Sequence, residues 1–471
     1  MYSFIQIHGK EDVKPADRER RQLIRQVAMI KAGRARKIKT ARNRPLPRNP
    51  IVSLPINPML LETQQPQVLY KEPGSGRRDP FTAYPVQMSL RMHEIIEQLY
   101  VDPKKHFCGF RYFWLPMAMG DPAAFHQLLC NVSLAAAKFT GSPERNKEES
   151  VIHHNAAINN VMSRLRVTGK EQAASLVLPI LALAQHANMY RDAAKFEVHF
   201  TALEQVVQLG GGLDNMTLEP YTRLLLLFVE VNSRARNDSL PLFPLPVDLL
   251  GSFQISSADI EDAVYRDLIL ISPFRSLFPN GMDSFAQTLC DTKSLGEKLN
   301  EYYRTMGDEL WTDARISGFR ICVLLHKLLS IQSQIFSSSI ITQSLRDATR
   351  ISALLGLAAV RRRFLAFQVF TDIHLAKLKD LLNFLFPMVL YHEKSNGIIL
   401  FWQFFMGGME AADREDWSWF ATGISMLATQ LEVESWAGAM TILRSIFWID
   451  SVHSSRGRAL WDASQSIMTL L

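Results

Sequence analysis

Two short carboxylate runs are the first places where this chain could do chemistry. They are Asp413, Glu415 and Asp416 in DREDW, and Asp259, Glu261 and Asp262 in DIED. A magnesium–diphosphate centre needs carboxylates converging from two helices, with cations for the phosphates. Neither run has a partner motif at workable spacing. Acidic residues at a helix start complement the positive end of the helix dipole, and that capping role is the expectation for both. His153, His154 and His199 fall in helical patterns but lack the i, i+4 His pair with an adjacent Glu that marks a metallohydrolase. They are expected as buried or half-buried structural histidines. Gly210-Gly211-Gly212 is not followed by Lys-Ser/Thr and opens no helix after a strand, so it is expected to end the preceding helix through a left-handed glycine. The chain has no Gly-x-Ser-x-Gly elbow and no dinucleotide fingerprint. The expectation is no catalytic residue, no metal and no cofactor.

The four cysteines, Cys108, Cys130, Cys290 and Cys322, are too far apart in sequence to write a local zinc knuckle or redox pair. They are expected as reduced thiols packed as small hydrophobes. Five of eight tryptophans, Trp402, Trp417, Trp419, Trp436 and Trp448, crowd together with Phe401, Phe404, Phe405 and Phe420. Stacking platforms for bases use such rings, but helical spacing makes an aromatic core the expected use, with part of the face open to an interface.

The elements that would position these residues differ along the chain. The first fifty residues hold fourteen Lys or Arg and four Asp or Glu, a net +10; the whole chain is +6, so the rest sums to −4. Within this basic arm (1–44), residues 17–39 read as a short amphipathic helix. Leu23, Val27 and Ile30 lie on one face, and Arg18, Arg21 and Arg25 lie roughly opposite. Arg34, Arg36, Lys37, Lys39, Arg42 and Arg44 then form a denser cluster, the candidate for nuclear targeting or phosphate contact. Residues 45–85 carry nine prolines, each removing a backbone donor and disfavouring helix before it, so they read as a semi-rigid tether.

From 86 to 471 the pattern is helix after helix, with strands scarce and no fixed repeat. Asp121-Pro122 reads as an N-cap followed by proline at N1. Apolar periodicity predicts helices over Ala173–Ala187, Tyr221–Val231, Ile316–Ile335, Leu375–Leu385 and Trp417–Leu431. Pro241, Pro244 and Pro246 make 237–253 the clearest interior break, where a subdivision is expected. With 47% hydrophobic and 21% charged residues, the chain has the composition of an ordinary globular protein. The start, MYSFIQIHGK, lacks the basic region and apolar run of a secretory leader, and the most apolar stretches are too short to cross a bilayer. A reducing compartment, cytosol or nucleus, is expected.

A series of spaced motifs then carries a resemblance. It begins with Asp79-Pro80-Phe81 and Tyr84-Pro85, then Trp114-Leu115-Pro116 and Asp121-Pro122-Ala123-Ala124-Phe125. His154 with Ala157-Ile158 and Leu165 follows, then His199 with Leu203, Val206-Val207 and Gly210-Gly211-Gly212-Leu213. Gly407-Gly408, Ser435-Trp436, Phe447-Trp448-Ile449-Asp450 and Leu460-Trp461 complete it. In this order and spacing the chain resembles the helical regulatory domain of fungal-specific transcription factors. Phe4 through Arg36, with Arg18, Arg21, Ile24-Arg25, Met29, Gly33 and Arg34, resembles the arm of family members without a zinc cluster. Family members usually carry a six-cysteine binuclear zinc cluster, and four cysteines, none in the arm, are too few to form it.

The resemblance implies an all-α, multi-helix regulatory domain behind a basic helix and a proline-rich tether. It implies a nuclear regulator or co-regulator working through protein contacts. Expected partners are DNA-binding transcription factors or the transcription machinery, with a homo- or heterodimer as a further option. Binding of the arm to DNA is expected to be weak and non-specific, and no membrane partner is expected, because the arm's apolar face lacks Trp or Phe. Two rivals are a helical sensor of a small apolar ligand and an all-helical metal-dependent enzyme using an acidic run.

Overall fold

The computed structural model describes residues 84–101, 107, 109–137, 143–167, 169–190, 192–250, 277, 284–312, 320–331, 340–364, 369–389, 394–412 and 415–468. The arm, and the tether up to residue 83, lie outside them. The described residues form sixteen α-helices and no strand, so the all-α expectation holds for the body. All of them belong to one compact unit.

The first half is built from α1 (Leu90–Val101), a π-helical turn (Phe110–Trp114), α2 (Leu115–Ala118), α3 (Pro122–Ala136), α4 (Pro143–Leu165), α5 (Ala174–Met189) and α6 (Ala193–Leu209). Local chemistry sets several of these ends. Asp121 has extended backbone, and its Oδ1 accepts from the N–H groups of Ala123 and Ala124, both at 2.9 Å. This satisfies two donors the first helical turn leaves open. Arg164 then bonds Asp121 Oδ2 at 2.6 Å, tying the start of α3 to the end of α4. At the other end, α6 stops at Leu209 where Gly211 and Gly212 take φ of +89° and +95°. Glycine adopts that region without steric cost, as expected for this triplet. α3 packs along α4 and α5, and α5 along α6.

α7 (Pro220–Asn237) and α8 (Val247–Leu250) follow. α7 is longer than its predicted span because its polar last turn is held by tertiary bonds. Asp238, in the left-handed region (φ 48°, ψ 52°), ends it. The second half comprises α9 (Ser284–Met306), α10 (Ile321–Ser330), α11 (Ile340–Arg363), α12 (Asp372–Val389), α13 (Lys394–Glu410), α14 (Trp417–Gln430), α15 (Trp436–Ile446) and α16 (Asp450–Met468).

Two hydrophobic cores result. One runs from Met92 to Val229 and the other from Leu224 to Trp461. α7 serves both: Leu225, Leu226 and Val229 enter the first, while Leu224, Leu227, Val231 and Ala235 enter the second. Phe113 and Phe228 pack against both cores. The predicted break at 237–253 thus begins just beyond the helix that joins the two cores. Glu230 of α7 reaches across it, accepting from the N–H groups of Leu242 and Phe243.

The second core is aromatic, as the spacing suggested. Trp402, Phe401, Phe404, Phe405 and Phe420 are fully buried, and Trp448 nearly so. These rings fit only because glycines face them. A Cβ on Gly423 would lie 2.1 Å from Phe404 Cε1, one on Gly407 2.3 Å from Phe420 Cε1, and one on Gly408 2.5 Å from Leu460 Cδ2. Gly407-Gly408 therefore lets α14 and α16 close onto α13. Among the described residues no helix is long and apolar enough to cross a membrane.

Candidate functional site

The expected phosphate-contact residues Arg34, Arg36, Lys37, Lys39, Arg42 and Arg44 lie outside the described residues, as do Asp259, Glu261, Asp262 and Asp413. Of the acidic runs, Glu415 and Asp416 are described. Asp416 is the N-cap of α14, yet its carboxylate makes no cap hydrogen bond. It pairs with Lys379 Nζ on α12. Asp416 thus stands at the helix start, where its charge complements the helix dipole as expected, while its helical backbone (φ −73°, ψ −11°) keeps the side chain from folding back onto the first turn.

The densest buried constellation of chemistry-bearing groups lies in the first core, where α3, α4, α5 and α6 meet. Gln127, Cys130 and Asn131 share one face of α3 at i, i+3, i+4 spacing. His154 comes from α4, His186 from the last turn of α5 and His199 from α6. His154 Nδ1 donates to Gln127 Oε1 at 2.9 Å. Gln127 Nε2 donates to Asn131 Oδ1 at 3.2 Å, and His186 Nδ1 donates to the same oxygen at 2.6 Å. One amide chain therefore orients two imidazoles. Their rings lie 4.6 Å apart, and Cys130 Sγ is 3.8 Å from His186 Nδ1. Cys130, His154 and His186 each bring a metal-ligating atom within 4.8 Å of the others.

Burial dominates the electrostatics. It holds the imidazoles of His154 and His199 down at about 4 and that of His186 at about 3, with mutual repulsion and Lys195 adding to the effect. All three are neutral at physiological pH. Burial pushes the Cys130 thiol up to about 12, against a lowering hydrogen bond from Gln127. The thiol is thus protonated, as are Cys322 (about 12) and Cys290 (about 11) for the same reason. A second pair, His126 and His153, stacks beside this cluster with Nδ1 atoms 3.1 Å apart. His153, His154 and His199 are buried as expected. Their meeting with Cys130 and His186 was not legible, because no local spacing links positions contributed by separate helices.

A second polar node sits below α7. Asp238 is held by Arg350 through bonds of 2.7 and 3.1 Å and by Lys377 at 2.7 Å, with His374 at 3.8 Å. Burial opposes its ionisation most strongly, but these partners together keep the carboxyl well below its ordinary range. Near the α7 end of this region, Asn188, Asn232, Arg236, Arg361 and Phe370 line a small cleft with room for about one water. That is too little for an organic ligand.

The motif Phe447-Trp448-Ile449-Asp450 forms the tight extended turn between α15 and α16. Asn300 of α9 holds it from both sides, donating to Trp448 O at 2.9 Å and accepting from Asp450 N–H at 2.8 Å. Trp402 Nε1 donates to Phe447 O at 3.0 Å, and His453 Nδ1 accepts from Ile449 N–H at 3.0 Å. These residues are structural: they carry hydrogen bonds and packing, with no nucleophile–base arrangement among them. No protein-family model, curated protein or solved structure matches this chain.

Proposed function

We propose that this protein is a nuclear transcription regulator or co-regulator of the kind its motifs resemble, the fungal-specific transcription factors, acting through protein contacts rather than base reading. The motif series supports this reading, and several of its members are ones that build the helical body. Asp121 caps α3, the Gly211-Gly212 pair ends α6, Gly407-Gly408 admits Phe420 and Leu460, and Ser435 caps α15 through Gly438 N–H at 3.2 Å. Such agreement is what a resemblance in fold would leave in the sequence, and the regulatory role follows from the resemblance. The arm, within a first fifty residues that carry +10, supplies nuclear targeting and sequence-blind phosphate affinity. Non-specific binding of this kind has dissociation constants of about 10⁻⁴–10⁻⁶ M at physiological salt.

The test is a fluorescent fusion of the full chain compared with one lacking residues 1–50, together with chromatin occupancy of the tagged protein. Nuclear accumulation should fall on truncation, and promoter occupancy should vanish when its DNA-binding partners are depleted. Accumulation that survives truncation removes the targeting role. Occupancy that survives loss of every partner replaces the co-regulator reading with direct recognition.

A further inference from the structure

The geometry points to a zinc-binding centre formed by Cys130, His154 and His186, with Asn131 Oδ1 as the fourth donor. Three helices that are distant in sequence converge to place one thiol and two imidazoles within 4.8 Å of one another. A tetrahedral zinc ion with Zn–S of about 2.3 Å and Zn–N of about 2.0–2.1 Å holds sulfur and nitrogen about 3.5 Å apart. The 3.8 Å between Cys130 Sγ and His186 Nδ1 is already close to that, and closing the separations of up to 4.8 Å takes at most about 1.3 Å, within reach of side-chain rotation. One thiolate with two imidazoles is a borderline-soft set suited to zinc rather than to magnesium or calcium.

The surrounding bonds fit ligation. A ligating histidine normally gives its other N–H to an oxygen acceptor, and His154 already does so from Nδ1 to Gln127 Oε1, leaving Nε2 for the ion. At His186 the ion takes Nδ1, the ring proton moves to Nε2, and Asn131 Oδ1, released by His186 but still accepting from Gln127 Nε2, turns to the metal. Binding of aqueous Zn²⁺ breaks the Cys130 S–H bond, forms the Zn–S bond and releases one proton to solvent; the imidazoles lose none. The thiolate cancels one of the two metal charges; Asp192 also favours positive charge at His186, although it is itself paired with Lys195 at 2.8 Å. The ion would fasten α3, α4 and α5 together in the first core, a property independent of the regulatory reading.

The full chain, purified under reducing conditions, should carry one zinc per molecule by elemental analysis. Replacement by Co²⁺ should give a thiolate-to-cobalt charge-transfer band with the intense visible absorption of a four-coordinate site. The triple variant Cys108→Ser, Cys290→Ser, Cys322→Ser should keep both signals, since Cys130 remains. Cys130→Ser should lose the charge-transfer band, and His154→Gln should weaken cobalt binding at least tenfold. Zinc content unchanged in Cys130→Ser overturns the proposal, as does a full chain that gives no charge-transfer band with cobalt. A chain that takes up copper(I) and no zinc overturns the zinc assignment. The triple variant keeps the test decisive if Cys130→Ser fails to fold: a band lost there while the wild-type chain shows it places the metal on another thiol.

Discussion

Asp238 and Arg350 meet across 112 positions of chain, joined by hydrogen bonds of 2.7 and 3.1 Å between side chains that are 1% and 3% exposed. Removing Asp238 leaves the buried Arg350 guanidinium only the half-exposed Asp347, which it already bonds at 2.7 Å. Asp238→Ala should therefore lower stability by about 3–5 kcal/mol, read as a fall in the urea midpoint. Asp238→Asn tolerates the left-handed backbone at this position, so it separates loss of charge from backbone strain. It should recover only part of the loss.

Gly407 sets the aromatic core against helix propensity. Alanine favours a helix interior over glycine by about 1 kcal/mol, but a Cβ here meets Phe420 at 2.3 Å. Overpacking of this kind costs about 1–3 kcal/mol, so Gly407→Ala should be destabilising. Gly438→Ala, whose nearest new contact is Val433 Cγ1 at 3.5 Å, should be neutral or stabilising. Thermal unfolding of the two variants side by side decides it.

Acid should unfold the body from the histidines outward. His153, His154, His199, His374 and His453 are held at about 4 and His186 at about 3, each chiefly by burial, against an ordinary 6.5. The unfolded chain binds these protons first, so their contribution is complete above about 6.5 and is lost as pH falls towards about 4. Glu230 works the other way. Burial raises it to about 7, against lowering bonds from Leu242 and Phe243, so its contribution fades as pH rises from its ordinary 4.5 to 7. Six groups outweigh one, and the denaturation midpoint should drop between pH 6.5 and 4 with proton uptake on unfolding. A flat profile over that range contradicts the burial of these rings.

Asn300→Ala should loosen the turn between α15 and α16. It removes a donor to Trp448 O and an acceptor for Asp450 N–H. Leaving such groups unsatisfied costs about 1–3 kcal/mol each at most. Hydrogen exchange at the Asp450 amide should speed up before global stability changes much.

For the arm, replacing Arg34, Arg36, Lys37, Lys39, Arg42 and Arg44 by Ala should weaken binding to duplex DNA equally for all sequences. It should also flatten the slope of log K against log salt by up to about 5, for six phosphate contacts at about 0.9 each. An unchanged slope excludes these side chains from phosphate contact.

What the sequence disclosed and what it hid divide along physical lines. Asp121-Pro122 and Gly210-Gly211-Gly212 were legible because a cap and a left-handed glycine act within four residues of themselves. The aromatic run 401–448 was legible as core because rings at helical spacing have few other uses. The Cys130–His154–His186 cluster was not, since its members act on one another only after three helices pack. Asp238 gave no signal either: its partner Arg350 is a surface-type residue buried only once the helices pack, and Lys377 reaches it from the exposed side of α12. Asp416 was legible as a helix-start charge, but its pairing with Lys379 was not, because that depends on α12 packing beside α14.

The sharing of α7 between two cores has a consequence for how the chain is made. Among the described residues the first core draws on nothing beyond Phe243, whereas the second needs Leu460 and Trp461. At about 5–20 residues per second, the intervening 218 positions take the ribosome roughly 10–45 s. During that time the first core can already be shut, while Leu224, Leu227, Val231 and Ala235 stand as an uncovered stripe on its flank. That stripe is the docking edge on which the later helices assemble, and until they arrive it is the natural place for a chaperone to hold the nascent chain.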